Sequence, residues 1–237
     1  MVSPLPRVFF ITGTDTHVGK TYCAVKILQA FNAAGFSTIG LKPLASGSER
    51  NSAGELRNED ALKLQAAASI DLPYSKVNVF SFEPPIAPHI AANLSGVSIN
   101  AEALAQATLN TIRQYPSDIV VIEGAGGWKL PLNETEIMPD YLAILSRELD
   151  VEIILIVGMK LGCLNHALLS MESIEHFTKN HPVKFLAWIP NSPQGEMPYL
   201  QENIEYLSQR FPLISVNTIH SRYPYIIFIT LIKLIQA

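Results

Sequence analysis

What this chain is short of narrows its class before any motif is considered. Cysteine occurs twice, at Cys23 and Cys163. Two cysteines make no disulfide framework, so a reduced, cytoplasmic protein is expected. His89, His166 and His181 show no metal-ligand spacing with them. Charge is also sparse. Only 16% of residues are Asp, Glu, Lys or Arg, and the net charge is −4. That gives no support for a broad nucleic-acid surface, while leaving single basic residues to bind phosphates. No charged stretch followed by an apolar one opens the chain, so no secretory leader is expected. Repeats, low-complexity tracts, linkers and a Ser-His-Asp order are all missing. What remains is 48% hydrophobic, ample for one domain over 1–237 with a buried sheet.

The most telling stretch that is present is GTDTHVGKT, Gly13 to Thr21. It follows the apolar run Val8-Phe9-Phe10-Ile11 and precedes a helical pattern, Tyr22 to Ala34. Strand, glycine-bounded loop and helix, in that order, are the context of a phosphate-binding P-loop. Backbone N–H groups turn inward there, and the positive end of the helix faces the same point. Thr16, His17, Val18, Gly19, Lys20, Thr21 and Tyr22 are the candidate nucleotide-binding residues. Lys20 has the reach for the β- and γ-phosphates, and Thr21 places a hydroxyl for Mg²⁺.

Strands alternate with helices beyond this point. Strands are expected at Arg7–Thr12, Thr38–Leu41, Val77–Val79, Asp118–Ile122, Glu152–Val157 and Lys184–Ile189. Helices are expected at Tyr22–Ala34, Glu59–Ala68, Ala101–Gln114, Pro139–Leu149, Asn165–Lys179 and Pro198–Arg210. Asn58 and Asn100 read as N-caps and Gly35 as a C-cap. The patch around Pro84, Pro85 and Pro88 reads as a loop. Together these predict an α/β fold of P-loop NTPase type, a mostly parallel sheet with helices on both faces. Ligands of such sheets sit at the carboxyl ends of the strands.

Chemistry-bearing residues follow the strands directly. Lys42, then Ser46-Gly47-Ser48, follows Leu41. Glu123, then Gly124, Ala125 and Gly126, follows Ile122. Gly158 through His166 follows Val157, and Asn191 follows Pro190. Glu123 offers a hard oxygen ligand beside Thr21, or is a solvated strand end. Lys42 has the position to stabilise charge during phosphoryl transfer, or is a surface lysine. Asp60 begins a helix, where a carboxylate serves either the helix dipole or a metal. Ser46 is a loop hydroxyl with or without a role. Trp128 either walls a pocket or fills core. His17 sits inside the P-loop with no readable role.

At this point the residues reach a family. GTDTHVGKT, GLKPLASGSE (Gly40 to Glu49), LRNEDALKLQ (Leu56 to Gln65), PPIAPHIAA (Pro84 to Ala92), VIEGAGGW (Val121 to Trp128) and GMKLGCLNHALL (Gly158 to Leu169) closely resemble the dethiobiotin synthetases. The resemblance covers roughly Val8 to Asn191. It implies a homodimer that closes the ureido ring of 7,8-diaminopelargonic acid with CO2, ATP and Mg²⁺. By motif position, Lys20 and Lys42 are implied to stabilise the phosphoryl group and a carbamate, with Ser46 on the substrate. Thr21, Asp60 and Glu123 are implied to serve the Mg²⁺ site, and Asn191 the adenine. The helix opening at Gly162, Cys163, Leu164 and Asn165 is implied to meet the substrate tail across the dimer interface.

Two features depart from the resemblance. His17 stands where the family usually has Glu. After Pro212-Leu213-Ile214 the chain lacks the family's Pro-aromatic-Leu segment and ends in an almost wholly apolar run, Tyr225 to Ile235, too short for an ordinary membrane span. Other readings share the fold. A partition or septum-positioning ATPase carries a second lysine early in the loop, where this chain has Thr14. An amide ligase of cobalamin synthesis adds a glutaminase domain. A nucleotide-binding switch would bind or hydrolyse ATP without diaminopelargonate and CO2.

Overall fold

Five parallel strands form the centre of the protein in a computed structural model, which describes residues 5–193, 195 and 197–213. In chain order the first half runs β1 (Arg7–Gly13), α1 (Lys20–Ala33), β2 (Thr38–Leu41), β3 (Leu44–Ala45), β4 (Glu49–Arg50), β5 (Leu56–Arg57), α2 (Glu59–Ala67), α3 (Tyr74–Val77), β6 (Phe80–Ser81) and α4 (Pro88–Leu94). The second half runs α5 (Ala101–Gln114), β7 (Ile119–Glu123), α6 (Met138–Leu145), β8 (Val151–Gly158), α7 (Cys163–Thr178), β9 (Val183–Asn191) and α8 (Leu200–Ser208). The main sheet has the order β2-β7-β1-β8-β9. This is the expected parallel α/β architecture.

The sheet is buried on both faces because its strands carry apolar residues at successive positions, not alternate ones. All eight residues of β8 are buried. Phe9, Ile11, Val121, Ile154 and Ile156 point to one side and pack on α1 residues Cys23, Ile27, Leu28 and Phe31. Phe10, Ile122, Ile153, Leu155 and Val157 point to the other and pack with α5, α6 and α7. Helix α5 buries Ala101, Leu104, Ala105, Thr108, Leu109 and Ile112. That is the i, i+3, i+4, i+7 stripe of an amphipathic helix, and each fully buried Leu or Ile contributes roughly 1.5–3 kcal/mol.

The ends of the helices follow local chemistry. Asn58 accepts a hydrogen bond from Ala61 N at 3.2 Å, and Asn100 accepts one from Ala103 N at 2.7 Å. Helix α1 closes one residue before Gly35, with Gly35 N donating to Asn32 O at 3.0 Å and Phe36 N to Phe31 O at 3.1 Å. Phe36 and Phe31 then meet edge to face, the apolar contact that accompanies this cap.

Three expectations need correction. Val77–Val79 is no strand. Val77 closes α3, and the strand is Phe80–Ser81, in a small separate sheet with β3. Pro84–Pro88 is not loop throughout, because Pro88 opens α4 as its first residue. There its missing N–H costs nothing. The helix expected from Asn165 begins earlier, at Cys163, which is buried. The unusual segment 214–237 lies outside the described residues.

Candidate active site

The strand register brings the separate tips to one edge. Ile11 of β1 lies opposite Glu123 of β7, Leu41 of β2 opposite Ile122, and Gly158 of β8 opposite Asn191 of β9. Above this edge lies a cavity of about 830 Å³. It is lined by Thr16, His17, Gly19, Lys20 and Thr21 of the P-loop, by Lys42, Ser46, Asp60 and Glu123, and by Ala125 and Gly126.

The P-loop is held from beneath by strands β8 and β9. Thr14 N donates to Ile156 O at 3.0 Å, and Gly158 N donates to Thr14 Oγ1 at 3.3 Å. Val18 turns inward rather than toward the cavity. A Cβ on Gly158 would lie 2.7 Å from Val18 Cγ1, so glycine alone allows this approach. Asn191 Nδ2 donates to Val18 O at 2.7 Å. Gly19 adopts φ +90° with Asn191 packed against it, and a Cβ there would meet Nδ2 at 1.9 Å. Sequence spacing shows none of this support, because the partners are more than a hundred residues apart.

Charges converge on Glu123, which is 1% exposed. Its Oε1 accepts hydrogen bonds from Lys42 Nζ at 2.6 Å and from Thr21 Oγ1 at 3.0 Å. Asp60 Oδ2 lies 3.8 Å from the same ammonium. Lys20 Nζ donates instead to Asp15 O at 2.9 Å. Burial, foremost, and then the charge of Lys42 lower the Lys20 ammonium to about 8, against the raising pull of Glu123, Asp60 and Asp15. On the outer side of the loop, Asp15 Oδ2 is 3.3 Å from Lys160 Nζ. The Asp15 carboxyl is lowered: burial raises it, but the Thr16 N–H, Lys160 and His166 together outweigh burial.

A family model described as an AAA domain matches residues 7–222. The ATP-dependent dethiobiotin synthetase of Cellvibrio japonicus is 45% identical over 206 residues, covering 87% of this chain and 86% of its own. That of Alteromonas mediterranea is 43% identical over 212 residues, covering 87% and 88%. The chain belongs to this family, among the dethiobiotin synthetases.

Solved structures extend the likeness of fold beyond the dethiobiotin synthetases. A plasmid partition protein from Borrelia burgdorferi B31 aligns with TM-score 0.53 at 13% identity, covering 98% of each chain. The septum site-determining protein MinD of Pyrococcus horikoshii OT3 aligns with TM-score 0.51 at 12% identity, covering 89% of this chain and 80% of its own. At these identities the shared property is the fold alone.

Several candidate residues lie outside this cavity. Val18, Gly124 and Asn191 are buried and do not line it, and Tyr22 is exposed along α1. Gly162, Cys163, Leu164 and Asn165 do not line the cavity either. Cys163 is buried, and Leu161 beside them is 97% exposed. Trp128 fills core: it is buried, with Nε1 donating to Ser173 Oγ at 3.2 Å and its ring edge-on to Phe177. The sequence reading missed that Pro85, Ile86, Ala87, Pro88 and Leu130 give the same cavity apolar lining. The signal available was Pro88 as a helix opener beside apolar neighbours.

A divalent cation fits the donor set at the carboxylate end. Glu123 Oε2 is buried and has no hydrogen-bond partner, an arrangement that costs free energy unless a cation or its water satisfies it. No group of three or more His, Cys, Asp or Glu placed to hold a metal occurs among the described residues. Mg²⁺ needs only one or two carboxylates, with waters and phosphate oxygens completing its shell. Among the described residues, no helix is long and apolar enough to cross a membrane.

Proposed function

We propose that this protein is an ATP-dependent dethiobiotin synthetase, closing the ureido ring of 7,8-diaminopelargonic acid with CO2. The observation that carries this reading is Lys42. It is a second cation, just past the end of β2 and apart from the P-loop, close enough to Lys20 to lower its ammonium, and it shares its cavity with apolar residues. A nucleotide switch needs only Lys20. A ligase that sets an anionic second reactant against the γ-phosphate needs another positive group to hold it.

The reaction balances as three bond exchanges. One amine of the substrate adds CO2, forms a C–N bond and loses a proton, leaving a carbamate. A carbamate oxygen then attacks the γ-phosphorus, and the bond from that phosphorus to ADP breaks. The second amine attacks the carbon of the mixed anhydride and loses a proton, the bond from that carbon to the phosphate oxygen breaks, and the ring closes as phosphate leaves. Lys20 moves from Asp15 O to the phosphates, as its reach along the P-loop allows. Lys42 holds the carbamate and offsets charge as phosphoryl transfer proceeds. Thr21, Asp60 and Glu123 would hold Mg²⁺, which supplies charge neutralisation on the phosphate oxygens when bound. Ser46 contacts the substrate near its amines.

Asn191 keeps polar capacity for the base. One Nδ2 hydrogen goes to Val18 O, which leaves Oδ1 as an acceptor for the adenine amino group and the second Nδ2 hydrogen as a donor. His17, at the rim of the cavity with φ 57°, stands beside the nucleotide. The substrate's carboxylate, at the far end of its chain, is held by the N–H groups that open α7 at Gly162–Asn165, from the partner of a homodimer. Nine-carbon substrate and nucleotide thus span from the Lys42 cavity to a second subunit.

ADP release measured with and without diaminopelargonate and bicarbonate tests this reading. Turnover should require both. ADP release that is equally fast without them favours the nucleotide switch.

A further inference from the structure

Lys42 does not meet the cavity with a free ammonium. Its Nζ is shared between Glu123 Oε1 at 2.6 Å and Asp60 Oδ2 at 3.8 Å. Those two carboxylates, with Thr21, are the groups assigned above to Mg²⁺. The ammonium and a divalent cation therefore compete for the same two carboxylates, the ammonium on Glu123 Oε1 and the unpartnered Oε2 open to the cation. A buried carboxylate such as Glu123 is strongly disfavoured without a compensating cation, and in the protein alone Lys42 supplies it. Once a divalent ion reaches those oxygens the two positive charges repel each other.

The rest of Lys42 suits a side chain that moves on a fixed stem. Its backbone N donates to Val77 O at 2.9 Å, and its carbonyl accepts from Asn78 Nδ2 at 2.6 Å. The main chain is pinned on both sides, while the four-carbon side chain runs to the cavity. Lys20 is different: its ammonium is held by the Asp15 carbonyl and touches neither carboxylate.

We propose that Lys42 is the resident counter-ion of the metal-free site. It gives up Glu123 and Asp60 when a divalent cation enters with the nucleotide, and its ammonium then turns to the anionic substrate. The same lysine so serves two carboxylates in succession, first Glu123 and then the carbamate. This rests on the metal assignment above.

Mn²⁺ binding by titration calorimetry, without nucleotide or substrate, tests the competition. Lys42→Met should bind Mn²⁺ about tenfold more tightly than the wild type, because the competing charge is gone. Lys20→Met removes a nearby charge that does not touch the carboxylates, and should tighten binding by less. Mn²⁺ alone should also raise the melting temperature of Lys42→Met more than that of the wild type. Unchanged or weaker affinity in a folded Lys42→Met protein overturns the proposal, as does equal tightening in Lys20→Met. If Lys42→Met does not fold, the wild type decides. Structures with and without Mg²⁺ and a non-hydrolysable ATP analogue should show Lys42 Nζ leaving Glu123. Lys42 still bonded to Glu123 with the metal bound overturns it. None of these readouts measures ring closure, so their failure and that of the synthetase reading are separable.

Discussion

Lys20 and Lys42 share one cavity and differ in what holds them. Lys42 is paired to buried Glu123, so Lys42→Ala removes a charge at the reacting centre and leaves an unpaired carboxylate. Ring closure should fall about a hundredfold or more. Stability should fall too, with roughly 3–5 kcal/mol as the range for breaking a buried pair. Steady-state kinetics and urea unfolding check both, and near-normal turnover in a folded variant would contradict the assignment. Lys20 is lowered to about 8, by burial and then by Lys42. Between about 8 and 10.5 the unfolded chain keeps a proton that the folded chain has lost, so this lysine adds stability as pH rises through that window. Nucleotide binding runs the other way, because phosphates need the charged form. The kcat/KM for ATP should therefore decline above about pH 8. In contrast, kcat should persist to higher pH, since bound phosphates retain the proton. A kcat/KM for ATP that stays flat to roughly pH 9.5 would show that Lys20 is not the titrating group.

Among the elements, the P-loop and the opening turn of α2 carry the most consequence. The P-loop's shape depends on Val18 seated against Gly158. Gly158→Ala forces its Cβ to 2.7 Å from Val18, and β8 cannot shift without disturbing β1 and β9. It should raise KM for ATP severalfold and lower stability by about 1–3 kcal/mol. Unchanged KM for ATP would show that the loop does not depend on this seat. Asn58 caps α2 and also donates from Nδ2 to Ser46 O at 3.4 Å, tying the Ser46 loop to the turn that carries Asp60. Asn58→Ala should cost about 1 kcal/mol and reduce kcat, a combination read by thermal unfolding and kinetics together. An unaltered kcat would separate the cap from the site. Both caps and the α5 stripe were legible in the sequence, since they depend on residues within a few positions. The strand at Phe80–Ser81 was not. Its neighbours Val77 and Val79 look more strand-like, but Val77 is used to close α3 and bury its side chain.

Across the whole molecule, the parallel order of the sheet explains why distant residues meet. Continuous apolar strands and the polar residues just after them were readable. Their meeting edge followed from the topology of such sheets. The pairing of Lys42 with Glu123 was not readable, because 81 residues separate them and no local pattern encodes a distance across β2 and β7. The same holds for Asn191 beneath the P-loop: motif position pointed to adenine, while the structure adds a bond to Val18 O. The scale of the molecule also sets the last variant. Gly162–Asn165 lies outside the cavity, and in the proposed homodimer a tail anchor there comes from the second chain. A variant made monomeric should raise KM for diaminopelargonate while leaving ATP binding largely intact. Unchanged KM in a monomer, checked by sedimentation, would place the anchor within one chain.

The central claim is that this cavity joins CO2 to two amines at the expense of ATP. It is tested most directly by incubating the purified protein with ATP, Mg²⁺, carbon-13 bicarbonate and diaminopelargonate, then measuring product mass and ADP together. Dethiobiotin carrying the carbon-13 label, formed in step with ADP, is the predicted result. ADP formed without labelled dethiobiotin, from a folded protein, would contradict it.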